Sequence, residues 1–260
     1  MHHAFIDKFS YLNSPIHRLD PRAKIIVFLS FIVLMVLTPI QQLPKFGLYL
    51  GWLAVVIALS RVPVPYILKH ALLIVPFALM ITVFLPFLHR GEAIWSWDMG
   101  PLRLQVTLEG LWVLLNVLVK SFLSVLAMIT LASTTKFSDL LKGFERLRMP
   151  RIMVLILSFL YRYIFVLIDQ VYRMKRARDS RYFGRKGPLW NAKVVGHMIG
   201  VLFIRTYEKA ERIYAAMASR GFDGEVRTLS VLKIRGADIL FALLFYGYVM
   251  LIWGIGLLLA

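Results

Sequence analysis

Five apolar runs, at 25–38, 46–60, 71–88, 110–132 and 237–259, leave this 260-residue chain few folds to choose from. A helix rises 1.5 Å per residue and a bilayer core is about 30 Å thick, so runs of this kind span it or nearly so. In hydrocarbon every backbone N–H and C=O needs an internal partner, and runs this long and uniform meet that demand as helices. Composition agrees: 59% of residues are hydrophobic and the mean hydropathy is +0.72, where a soluble domain sits near 45–50% apolar. The expected fold is an all-α integral membrane protein. It has about five transmembrane helices and a cytoplasmic helical domain built on two long crossed helices.

Charge orients these spans. Of a net +17, residues 133–235 carry 21 Lys/Arg against 8 Asp/Glu, and excess Lys/Arg marks cytoplasmic segments. The N-terminus, the 61–70 loop and 133–235 are therefore placed inside; the 39–45 and 89–109 loops and the C-terminus lie outside. Lys45, Arg90 and Arg103 are the exceptions on the outer side. Three regions follow: 1–132, a cytoplasmic lead-in and four spans; 133–235, the basic helical region; 236–260, the last span. Residues 1–24 lack the apolar core of a cleavable signal, and Asp20-Pro21 is a helix start, Asp capping and Pro needing no donor. Residues 152–168 are apolar enough to cross, but crossing would leave strongly basic flanks on both sides, so a helix lying under the membrane is expected there.

Within the basic region a helical pattern opens at Pro150 and meets no Gly or Pro until Gly184. A second runs from Leu189 to Arg220. Each ends in a similar piece: Ser180-Arg181-Tyr182-Phe183 and Ser219-Arg220-Gly221-Phe222. A short turn joins the two patterns, so their C-terminal ends are expected to lie far apart, as suits binding two copies of a similar partner. Gly196 and Gly200 form a Gly-xxx-Gly step that permits a close helix crossing. An Arg at a helix end is well placed to bind a partner carboxylate; equally, it can cap its own carbonyls, with Gly221 a plain C′ residue. Arg178 is a rival to Arg181.

Catalytic chemistry finds no candidate. Cysteine is absent, and no phosphate-binding loop, nucleophile elbow or His-Glu-x-x-His pattern occurs. His2 and His3 could ligate a metal through the free N-terminus, though solvated histidines are the commoner case. Lys120 lies inside the fourth span, where an ionisable residue is a functional candidate or pairs with a neighbouring helix. No nucleic-acid-binding pattern accompanies the Lys/Arg.

The run Ser14-Pro-Ile-His-Arg-Leu-Asp-Pro-Arg-Ala-Lys24, the two arginine pieces and the order of segments together resemble the transmembrane T component of energy-coupling factor (ECF) transporters, most closely the cobalt-type CbiQ proteins. The family's usual Ala-Arg-Gly reads Ser-Arg-Tyr in the first piece and Ser-Arg-Gly in the second. The resemblance implies a multi-pass protein of a prokaryotic cytoplasmic membrane with no catalysis and no cofactor of its own. It implies docking on two ATP-binding cassette ATPases, which hold ATP and Mg²⁺, through Arg181, Arg220 and their neighbours Ser180, Ser219, Gly221, Phe183 and Phe222. A substrate-capture membrane subunit would bind Co²⁺ or Ni²⁺. The alternative from another class is a membrane-anchored protein whose basic arm engages anionic lipid or nucleic acid.

Overall fold

A computed structural model describes residues 9–39, 42–88, 93–99, 102–181, 187–224 and 234–258. Within these residues ten helices and one hairpin follow in order: α1 Pro21–Leu37, α2 Leu43–Ser60, α3 Val64–Leu72, α4 Val75–Thr82, α5 Leu85–Leu88, β1 Ala93–Met99, β2 Leu102–Thr107, α6 Leu108–Thr134, α7 Phe137–Arg146, α8 Arg151–Ser180, α9 Pro188–Ala218 and α10 Gly236–Leu258. They divide into two compact units: Arg148–Val231, and the chain on either side of it.

In the membrane unit, proline decides where helices start. Asp20 caps α1 by accepting from Arg22 N at 2.9 Å, and Pro21 fills N1. Pro44, Pro65, Pro76 and Pro86 each fall at the first or second position of α2, α3, α4 and α5. Proline fits there because the missing N–H would have no partner. The expected 61–70 loop is corrected by this rule. Arg61 closes α2 in the left-handed region (φ 57), and Val64 already begins α3, which carries Lys69 and His70. The third apolar run is consequently a kinked span: it begins at Val64 rather than Ala71, and Leu73 and Ile74 stay in the right-handed helical region where the hydrogen-bond ladder breaks before Pro76.

The expected 89–109 loop contains an antiparallel hairpin, with Asp98 opposite Arg103 and Met99 opposite Leu102. Thr107 ends it and caps α6, accepting from Gly110 N while donating to Pro86 O at 3.2 Å. Gly110 is required here: a Cβ would stand 2.5 Å from Pro86 Cα.

The core lies among α1, α2, α6 and α10. Phe31 stacks on Trp52 at 5.1 Å and meets Tyr49 edge-on at 5.7 Å, while Phe245 lies 5.0 Å from Trp52. Hydroxyls in this apolar setting are bonded, as burial demands: Thr38 to Leu34 O, Tyr49 to Thr38, and Tyr248 to Leu48 O. Lys45 is placed over the Trp253 ring at 5.2 Å. Large apolar side chains such as Phe77, Met80, Ile81 and Met250 remain exposed, as lipid-facing positions do. By length and composition 64–82, 108–134, 151–180 and 236–254 can cross a bilayer, whereas Lys45–Ser60 is shorter. Because α8 is among them, its assignment to the cytoplasmic side rests on charge alone.

In the second unit α8 and α9 are 30 and 31 residues long, each about 45 Å, and they touch over a short stretch only.

Candidate functional site

The two arginine pieces adopt the same local geometry. Ser180 Oγ donates to Ala177 O at 3.1 Å, and Ser219 Oγ donates to Ala216 O at 3.1 Å. Arg181 N donates to Arg178 O and Arg220 N to Met217 O, both at 3.0 Å. Each serine thus turns its hydroxyl back onto the helix, as Ser does when no N-terminal donor is in reach. The arginine that follows stands at the closing turn with its side chain exposed. Among the described residues neither guanidinium makes an ion pair. Arg178 differs: its Nε and Nη2 both donate to Asp179 Oδ1, at 2.9 and 2.7 Å.

Beyond Arg220 the chain makes a Schellman cap. Phe222 N reaches Met217 O at 3.1 Å and Gly221 N reaches Ala218 O at 3.0 Å, with Gly221 at φ +78. Gly221 is a C′ residue, the left-handed position that glycine takes without steric cost. Phe183 falls outside the described residues, as do Tyr182 and His2 and His3.

Among the described residues a Cβ built at Gly196 or Gly200 meets nothing within 4 Å. The helices meet instead where α9 carries larger residues. Phe159, Tyr163 and Val166 of α8 face Ala210, Ile213 and Met217 of α9 across an apolar cleft of about 280 Å³. Beside it the C-terminal halves flank a groove of about 1120 Å³ lined by Arg173, Arg205, Lys209 and Arg212 with Asp169 and Glu208.

A second constellation escaped the reading of the sequence. At the start of α1 and α10, two carboxylates join two helix caps. Asp238 Oδ2 accepts from Arg235 N at 2.6 Å, the back-bond of a capping box, and its Oδ1 accepts from Asp20 N at 2.7 Å. Asp20 in turn caps α1. Next to them Lys24, only 1% exposed, spends its three N–H bonds on His17 O (3.3 Å), Thr134 O (2.9 Å) and Thr135 Oγ1 (3.3 Å). α7 lies back on α1, close enough that a Cβ at Gly143 would stand 2.8 Å from Ile25 Cδ1. His17 bonds Phe9 O through Nε2 and Ser14 Oγ through Nδ1. Burial, aided by the Lys24 charge, holds its pKa below the ordinary 6.5 against the opposing pull of the Phe9 and Ser133 carbonyls. The run Ser14–Lys24 held the signal, yet partners over 100 residues away cannot be read from it.

Residues 12–229 match the CbiQ family, described as cobalt transport protein. An uncharacterised protein of Methanocaldococcus jannaschii is 28% identical over 92% of this chain and 82% of its own length. Proteins named energy-coupling factor transporter transmembrane protein EcfT are 29% identical in Ruminiclostridium cellulolyticum, over 88% of each chain, and 28% identical in Thermosediminibacter oceani, over 87% of this chain and 88% of that one.

Proposed function

Since the chain belongs to the CbiQ cobalt transport family and is a multi-pass membrane component of the energy-coupling factor type, we propose that it couples ATP hydrolysis by partner subunits to cobalt uptake. Two ATP-binding cassette ATPases dock on the ends of α8 and α9, one at Arg181 and one at Arg220. They hold the ATP and Mg²⁺; this chain holds no cofactor. A capture subunit in the membrane carries the Co²⁺ (or Ni²⁺), and movement of α8 and α9 reorients it. The family description favours cobalt. Arg181 takes precedence over Arg178 because Arg178 is already neutralised by Asp179.

The observation that carries this reading is the repeated tip: the same serine back-bond and the same exposed arginine at the ends of two long helices. An exposed guanidinium that makes no ion pair among the described residues is available for a bidentate bond to a partner. The complex in proteoliposomes tests it, with ⁵⁷Co²⁺ uptake and ATPase co-purification as readouts. Arg181→Glu combined with Arg220→Glu is expected to abolish both while the chain still inserts. Arg178→Glu keeps uptake within about twofold. Normal uptake by the double variant overturns the proposal. A loss that merely tracks the number of charges removed and steepens with salt points instead to a basic arm on anionic lipid.

A further inference from the structure

α1 and α6 pack against each other, and each carries one lysine that reaches the other's C-terminal end. Lys24, in the first turn of α1, donates to Thr134 O, the last residue of α6, and to the hydroxyl of Thr135 just beyond. Lys120, in the middle of α6, donates at 2.8 Å to Val36 O, in the last turn of α1, with the Phe46 ring 6.0 Å away. The spacing is nearly equal on the two helices. Lys24 to Val36 is about 18 Å along α1, and Lys120 to Thr134 about 21 Å along α6, at 1.5 Å per residue. Two antiparallel helices are thereby tied at both ends.

Chemistry explains why lysine stands at both places. The last four carbonyls of a helix have no partner within it and carry the negative end of its dipole. In a bilayer no water is at hand to satisfy them. An ammonium from the neighbouring helix supplies both the donor and the opposing charge. Lys24 does more, because Thr134 and Thr135 mark the break between α6 and α7. Its bonds to the last carbonyl of α6 and to the hydroxyl of Thr135, the capping residue in the break, hold the bend. α7 lies back on α1 at Gly143 and leads in sequence to α8.

We propose that Lys24 and Lys120 are positioning residues, reciprocal cross-helix caps that make α1 and α6 a rigid post and fix the α6–α7 bend, so that force applied at the coupling helices is delivered rather than absorbed. The idea rests on the coupling function proposed above. Without the clasp, ATP hydrolysis continues while the bend yields, and cobalt uptake per ATP falls.

The absence of cysteine permits clean spin labelling. One pair, at Met128 and Glu145, reads the bend. A second, at Leu37 and Leu115, reads the far end of the post; all four positions are exposed. In the reconstituted complex, Lys24→Met is expected to broaden the first distance distribution. Lys120→Met broadens only the second, and Lys120→Arg restores it. Each Met variant lowers ⁵⁷Co²⁺ taken up per ATP hydrolysed about fivefold or more, with ATPase turnover within twofold of the parent. Should Lys24→Met fail to insert, Lys120→Met and its Arg rescue carry the test alone. Unchanged distance distributions overturn the clasp. Broadened distributions with unchanged uptake per ATP overturn its role in coupling and leave the transport reading standing. If the parent complex neither hydrolyses ATP nor takes up cobalt, the transport reading fails, the coupling role proposed for the two lysines falls with it, and the distance measurements alone decide the clasp.

Discussion

His17 uses both ring nitrogens. A carbonyl can only accept, so the bond to Phe9 O puts the proton on Nε2, and Nδ1 then accepts from Ser14. That neutral form is the one burial favours, and the pKa is lowered in consequence. The sign of the pH effect follows. Unfolded His17 titrates near 6.5 and the folded ring below that, so its contribution is fully present above pH 6.5 and is lost as pH falls through the folded value. In detergent, the melting temperature of the parent is expected to drop between pH 7.5 and 5 by more than that of His17→Gln. Parallel curves for the two proteins argue against it. At the same scale the serine and arginine of each tip were legible from their types and spacing. The Asp179 that ties up Arg178 was visible as a neighbour in sequence, but its bond was not.

Glycine serves different ends in different elements. Gly110 lets α6 begin against the backbone of Pro86. Gly110→Ala is expected to cost about 1–3 kcal/mol, the range for overpacking a filled site, because backbone must shift. Gly196 and Gly200 face open space on α9. Alanine at either should stabilise the isolated protein by about 0.5–1 kcal/mol, the helix-propensity gain over glycine. Denaturation melts of the three variants separate these cases, and a destabilised Gly200→Ala would restore the close crossing that its spacing suggested. The spacing alone could not decide, since a Gly-xxx-Gly step states only that close approach is possible. Proline was more legible. It dictates where a helix can begin whatever its surroundings, and in the third apolar run it kinks the span into short helical stretches.

Across the whole molecule, α8 is where two physical criteria diverge. Its apolar first half is long enough to cross, while the basic segments on both flanks oppose crossing. Single cysteines and a membrane-impermeant maleimide decide between them. A label at Leu37 is expected from the outside only. Val64, Ile152 and Leu189, all exposed, react only from the cytoplasmic side. Reaction of Ile152 and Leu189 from opposite sides would make α8 a sixth span. Local chemistry by itself determined that the protein is helical and membrane-bound, that the first helix opens at Asp20-Pro21, and where the charge lies. Hydropathy, proline and charge act within a few residues or are summed over a segment. Tertiary structure alone decided that Asp20 shares its cap with Asp238, and that Lys24 and Lys120 each close the other's helix. Those bonds join residues 84 to 218 positions apart, a separation that only packing brings within 3 Å.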